Sequence, residues 1–360
     1  MSDTSPDRAP RRALKSHGRE RVAWNRRHSL ILAFAVAFVL VFVFCLGMGR
    51  LGVPFGETLK IMVNDFTPFS PEQTWTDMQR SAIVNVRLPR LVGASLVGAA
   101  LALSGAAYQG IFKNPLVSPD LLGISNGACV GAAAAILLGL PSLGIQFSAL
   151  VMGLVTVFLT TRIPRFFHNS SSLMLVLAGV IMSGLMSSLL GVAKYVADPD
   201  DNLAEIVYWT MGSFANIRMS DVLIVAPAIV IAGIVLIAMR WRIGLLSLGE
   251  QEARSLGVDI KRTRGLAILC STVLTACAVC MCGTIGWVGL IIPHLSRLVI
   301  GHDNRYAIPL AGLLGAVFMV VVDTVARCLT GSEIPLSIIT GLLGAPLFVW
   351  LLARQRTRIS

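Results

Sequence analysis

The chain has 360 residues, of which 55% are hydrophobic and 14% charged, and its formal net charge is +11. A soluble domain carries about 25% charged residues, so the composition excludes an ordinary soluble globular protein and points to a chain solvated by lipid. No aromatic-interleaved basic stripe accompanies the positive balance, which excludes nucleic acid as its explanation and leaves membrane topology and anionic lipid.

Residues 1–28 hold eight Lys/Arg and three acids among prolines and serines, a composition that predicts a disordered tail. The first uncharged run, 29–49, has 21 residues and exceeds the ~7–15 of a signal-peptide core, so it reads as a span and not a cleavable leader. A long segment, 50–88, then leads into Asn85-Val86-Arg87-Leu88-Pro89-Arg90, where the proline suits the first turn of a helix. Span two, 91–112, is rich in small residues. Ala94, Gly98, Ala102 and Ala106 form a small-xxx-small row that permits close helix packing, although a strict G-x-x-x-G pair is absent. Lys113-Asn114-Pro115-Leu116-Val117-Ser118-Pro119 follows, an irregular stretch tolerable at membrane depth only where protein shields it or water lines it.

The next uncharged run, 121–161, has 41 residues and would be about 60 Å long as one helix, twice a ~30 Å hydrocarbon core. It must turn, and Gly139-Leu140-Pro141-Ser142 supplies the turn. Arg162, Pro164, Arg165 and His168 mark a loop, after which Asn169 to Ser172 cap span five, 169–193. The loop 194–221 holds Asp198, Asp200, Asp201 and Glu205. These carboxylates lack a Ca²⁺-loop spacing and read as a solvated face beside the Tyr208-Trp209 interfacial pair.

Span six, 222–239, precedes residues 240–264, the one long charged interruption in the second half, with six Lys/Arg and three acids. Gly244, Gly249 and Gly257 punctuate two short helical pieces there, which predicts a compact hairpin on the membrane surface. The run 265–296, interrupted only by His294, is again too long for one span, and Gly283 to Gly286 divide it. Within it, His294 beside Pro293 reads as a partner for freed carbonyls more readily than as a proton relay. Spans at 306–322 and 334–353 complete ten, with Asp323 and Arg327 spaced as an i, i+4 pair.

Ten is even, so both termini share a side. With the termini inside, inner segments hold 22 Lys/Arg against eight acids and outer segments eight against ten, which makes the inner side the cytoplasm. All seven cysteines fall in or at the ends of spans. Cys277, Cys280 and Cys282 do not share a helix face, so no metal site is expected, and no cofactor.

Several stretches carry a resemblance: RLPR at 87–90, NPLVSPDLLGISNGA, SLGEQEARSLGV, GWVGLIIPHLSR and the terminal VDTVARCLTGSEIPLSIITGLLGAPLFVWLL. Together they resemble the FecCD-type permeases of ABC importers, which carry iron-siderophore, cobalamin, haem or molybdate. The resemblance covers nearly the whole chain beyond the first span. It implies an all-α polytopic membrane protein with about ten transmembrane helices, both termini cytoplasmic, and the homodimeric type II ABC importer permease fold in the inner membrane. The domain reading is a tail at 1–28, a permease domain at 29–354 with its coupling segment at 240–264, and a short tail at 355–360.

Implied partners are two cytoplasmic ATPase subunits, an extracytoplasmic binding protein, a metal-chelate or oxyanion cargo and a second copy of the chain. The matching positions imply Arg87, Arg90 and Arg327 as docking points for the binding protein. They imply Asn114, Leu116, Ser171 and Ser172 as the cytoplasmic gate, and Leu248, Gly249, Glu250, Ala253, Arg254 and Gly257 as the ATPase coupling contacts. Ferric siderophore is the first expectation for cargo. The rival readings are weaker. An ion-coupled secondary transporter would bury several acids, whereas only Asp323 lies within a span. An enzyme would need a metal cluster, nucleophile elbow or carboxylate dyad, none of which the sequence contains, and without a G-x-x-x-x-G-K-[ST] loop ATP hydrolysis must lie in a partner.

Overall fold

The computed structural model describes the backbone of residues 9–69, 71–167 and 172–356, with side chains from Arg26 onward except at 172, 352, 355 and 356. Among the described residues the chain is all helix. Its α-helices are α1 (Ala9–Gly47), α2 (Phe55–Phe66), α3 (Asp77–Ser81), α4 (Leu88–Phe112), α5 (Ile124–Leu137), α6 (Ser142–Phe166), α7 (Ser172–Val196) and α8 (Asn202–Met211). They continue with α9 (Met219–Ala238), α10 (Arg240–Leu248), α11 (Glu250–Ser255), α12 (Ile260–Cys282), α13 (Val288–Ile300), α14 (Asn304–Cys328) and α15 (Leu336–Arg356). A π-helical turn, Ala82–Arg87, joins α3 to α4 without a break.

Seven stretches are long and apolar enough to cross a bilayer: in α1, α6, α7, α9, α12 and α14, and in the continuous helix 77–112. The shorter apolar helices α5, α13 and the body of α15 lie where the sequence places three further spans of its ten. Helix α1 starts at Ala9, so helix occupies much of the segment read as a disordered tail; residues 1–8 and 357–360 lie outside the described residues.

Helix α4 is the axle. Twenty of its residues are buried, against α14, α12, α13, α9 and α10. The composition explains this position. Its small residues carry little helix-side bulk, so neighbouring backbones approach closely and dispersion contacts replace a hydrophobic driving force that lipid cannot supply. The predicted row is in use: Gly98 packs backbone to backbone on Gly315 of α14, and Ala102 packs beside it. Gly105, outside that row, meets Gly289 at the start of α13 in the same way. Lipid-facing helices are the opposite. Only about a tenth of the α1 window is buried, and Leu32, Leu40 and Phe44 are exposed.

Where the chain turns, the backbone needs glycine. Gly212 (φ +75) follows half-helix α8, and Gly283 (φ +75) ends α12; each faces the other's carbonyl-lined strand, with Ser213 donating to the Cys282 carbonyl at 2.8 Å. Thr284 donates to the Thr210 carbonyl at 2.6 Å, and Leu336 N–H to the Gly212 carbonyl at 2.9 Å. The end of α8 is thereby wedged between α12 and α15 on the face that carries the acidic loops.

Candidate functional site

On the basic face, α10 and α11 form the hairpin read from 240–264. Gly249 sits extended between them, and Gly257 (φ +78) supplies the left-handed turn that closes α11. Leu245, Leu246, Ala253 and Ile260 make a small core of their own, with Val258 against it. The unit is fastened to the rest of the chain in three ways. Ile243 is fully buried against Gly110 of α4, Asn304 donates to the Ser247 hydroxyl at 3.4 Å, and Arg264 of α12 pairs with Glu250 at 2.6 Å. What the hairpin leaves outside is apolar: Leu248 is 66% and Leu256 60% exposed, flanked by exposed Gln251, Glu252 and Arg254. Exposed leucines ringed by charge are the pattern of a protein-binding surface.

The Arg264 guanidinium holds the Glu250 carboxyl below the usual carboxylate range. A folded value below the unfolded ~4.3 means the pair contributes fully above that pH and is lost as pH falls through the folded value. Because Glu250 is half exposed, the contribution is no more than about 1 kcal/mol. Hydrogen exchange of residues 249–258 is therefore expected to speed up, relative to that of α12, between pH 5 and pH 3. Glu250→Gln should show the faster exchange already at pH 7 and little further change on acidification; equal profiles for both proteins would contradict the tether.

The candidate gate loop follows α4. Lys113 ends the helix in the left-handed conformation (φ +52), and Asn114 Oδ1 accepts from Leu116 N–H at 2.9 Å, which fixes the turn. Leu116 is 57% exposed at the loop tip. Behind it, Gln109 donates to the Leu290 carbonyl at 3.1 Å and to the Val117 carbonyl at 3.4 Å, while Arg297 of α13 donates to Gln109 Oε1. The sequence reading assigned no role to this Gln109–Arg297 brace. Its signal was a lone amide in an otherwise small and apolar span. Ser171 lies outside the described residues, and so does the side chain of Ser172, which opens α7.

On the opposite face, the structure gathers Arg87, Arg90 and Arg327, but inside the protein. They are 3%, 3% and 7% exposed. Arg87 donates to the carbonyls of Leu46, Gly47 and Leu51, at 3.1, 2.8 and 2.5 Å, closing the end of α1. Arg90 binds Asp323 at 2.7 Å and Glu333 at 2.6 Å. Arg327 donates to the carbonyls of Cys45 and Met48, both at 2.7 Å, and stands 3.6 Å from Asp323, an ion pair too long for a hydrogen bond. The docking expectation needs these guanidiniums at the surface. Here they are spent on the chain's own carbonyls and carboxylates, because a buried cation must be paired and hydrogen-bonded. Any partner's carboxylate would have to displace those bonds. His294 is half-buried on α13, and the Cys280 and Cys282 thiols donate back to helix carbonyls at 3.2 and 3.1 Å.

The chain is similar to known proteins. A family model described as the FecCD transport family matches residues 37–354. The molybdate import system permease protein of Haemophilus influenzae is 40% identical over 319 residues, covering 89% of this chain and 94% of that protein. A Helicobacter pylori protein described as a probable iron chelatin transport system permease is 38% identical, over 89% of this chain and 97% of that protein. The cobalamin import system permease protein of Halobacterium salinarum is 40% identical over 76% of this chain and 73% of that one. Among solved structures, an inward-facing ABC transporter described as of the metal-chelate type superposes with a TM-score of 0.80 at 39% identity, covering 91% of this chain and 99% of that chain. PsaBC from Streptococcus pneumoniae shares the fold at 19% identity and a TM-score of 0.56, over 74% of this chain and 90% of that one. Seven helices long and apolar enough to cross a bilayer, a surface hairpin braced to the central helix and a family match across nearly its whole length make this chain a multi-pass inner-membrane permease subunit of an ABC importer, a member of the FecCD transport family.

Proposed function

We propose that the chain works as a homodimer, with its α10–α11 hairpins and both termini in the cytoplasm, and imports a metal chelate, ferric siderophore first. The observation that carries the mechanism is the hairpin itself: an exposed apolar surface at Leu248 and Leu256, rigidly tied through Ile243 and Asn304 to α4 and α14. A push on that surface reaches the central helix without passing through a flexible loop, and α4 leads directly into the Asn114–Leu116 loop. Two partner ATPase subunits would apply the push, and a binding protein would deliver cargo to the acidic face. The chain's apolar α7 face, with Leu173, Leu177, Val180 and Ile181 all exposed, fits the second copy and the path between the two. The docking role of Arg87, Arg90 and Arg327 belongs to this proposal in a restricted form, as a buried frame that positions the loops a binding protein meets.

Leu248→Asp tests the hairpin. A charge on an exposed position leaves the fold intact, while the apolar contact and its exclusion of water are lost. The variant is expected to insert and purify normally, to bind partner ATPase at least tenfold more weakly and to give no cargo-stimulated ATP hydrolysis. Unchanged stimulation would refute the coupling surface.

Cargo is tested by uptake. The full-length likeness to a molybdate permease favours a second reading, in which the cargo is an oxyanion. In a strain lacking this gene, loss of labelled ferric-siderophore uptake with molybdate uptake intact supports the first reading. Loss of molybdate uptake alone replaces it with the second.

A further inference from the structure

Between α6, α7 and α12 a cleft of about 730 Å³ opens near the basic face. Its walls are apolar, with Leu154, Phe158, Leu175, Ile268 and Leu269, and at one end stand Arg165, Lys261 and Arg264. We propose that this cleft is a binding site for one anionic glycerophospholipid, with its phosphate at the three cations and its acyl chains against the leucines and Phe158.

Charge argues for an anion. The acids near the cleft are Glu250, which engages one nitrogen of Arg264, and Asp259, which pairs with Arg262 at 3.2 Å; Arg165 and Lys261 have no ion-pair partner among the described residues. A further cation, Arg162, lies over the Phe158 ring at 4.5 Å. Arg264 gives an independent pointer. It lines the cleft from α12 with its side chain 19% exposed, and Glu250 engages its Nη2, so its charge is shared between that carboxylate and the cleft. The walls argue for lipid over a free ion. Phe158 and Leu269 are more than half exposed, so the cleft is open along its apolar side, where a bilayer leaflet supplies chains. Basic pockets between transmembrane helices on the positively charged side suit lipid head groups for this reason. Through Arg264 the bound phosphate would touch the residue that tethers the coupling hairpin, so lipid occupancy and hairpin rigidity would be linked.

The full-length protein, delipidated in detergent, is titrated with phosphatidylglycerol and with phosphatidylcholine of the same chains, and bound lipid is counted by native mass spectrometry. The expected result is one saturable phosphatidylglycerol site at least tenfold tighter than any phosphatidylcholine adduct. Arg165→Gln with Lys261→Gln should weaken it about tenfold, with thermal unfolding in phosphatidylcholine unchanged. Equal affinity for the two lipids, or wild-type affinity in the double variant, overturns the site. Blockade of lipid binding by millimolar inorganic phosphate alone makes it a free-anion site and overturns the lipid assignment. A photoactivatable phosphatidylglycerol on the unmodified protein gives a reading that needs no variant: labelling within 154–165 and 261–272 supports the site, and labelling only elsewhere overturns it. Disulfide formation between two copies carrying Leu269→Cys would show instead that a second protomer covers the cleft.

Discussion

Asp323→Ala is expected to cost about 3–5 kcal/mol of stability, because it strands two cations in the protein interior. The carboxylate is fully buried and is approached by Arg90 at 2.7 Å and Arg327 at 3.6 Å. Glu333 offsets part of the Arg90 charge at 2.6 Å, but its side chain is 27% exposed and cannot replace a buried partner. The loss should appear as a large fall in the thermal unfolding midpoint in detergent and in membrane yield. Removing both members of the closest pair should hurt less than the sum. Asp323→Asn with Arg90→Met leaves no unpaired guanidinium at that contact, and a double-mutant cycle is expected to show a coupling of at least about 1.5 kcal/mol. Strict additivity would mean that the pair is not coupled and that the buried cluster matters only by volume. The same experiment bears on docking. If binding-protein affinity falls only in proportion to the fraction folded, the arginines frame the outer loops and do not contact the partner directly.

Gly105→Leu should be as damaging, for a different reason. A Cβ at Gly105 would fall inside the van der Waals shell of the Gly289 carbonyl, and one at Gly98 inside that of Gly315. Backbone cannot rotate away as a side chain can, so α4 must separate from α13 or α14 along its length. Separation from α13 also pulls apart the Gln109–Arg297 brace behind the gate loop. Overpacking in soluble cores costs about 1–3 kcal/mol, and a backbone clash at the central helix is expected at or above the top of that range. Gly105→Leu and Gly98→Leu should therefore lose most folded, monodisperse protein in size-exclusion chromatography. Gly56→Ala, on α2 with open space around its Cα, is the matched control and should be neutral or slightly stabilising. Normal folding of Gly105→Leu would show that α4 and α13 pack more loosely than their spacing implies.

The division of the long apolar runs and the position of the coupling hairpin were legible in sequence because each follows from a local rule, whereas α2 and α3 within 50–88 were not. Hydrocarbon thickness sets the length of an uncharged run, so 121–161 and 265–296 had to divide, and they do so at Gly139 and Gly283, both with positive φ. Glycines and clustered charges in 240–264 announced a surface hairpin for the same kind of reason, since six cations and three acids in 25 residues are too costly to bury in lipid. The small residues of span two announced close packing. They could not say that Gly98 would meet α14 while Gly105 met α13, because the partner of a helix face is chosen by every other helix at once.

The arginines show the limit most clearly. On sequence alone, Arg87, Arg90 and Arg327 are cations on the side where cations are scarce, and Asp323 with Arg327 is a neutralising pair on one helix. Only the tertiary structure brings Arg90, 233 residues away, onto that same carboxylate, and folds the end of α1 over Arg87 and Arg327 so that its carbonyls consume their donors. Burial decides what a guanidinium does. In water it is free to meet a partner, and in a low-dielectric interior it must be satisfied on the spot. The chain's own order of residues therefore determined where its apolar helices divide, where its charged hairpin lies and which family it belongs to. The packing of distant helices determined which of its charges are presented to other molecules and which hold the protein together.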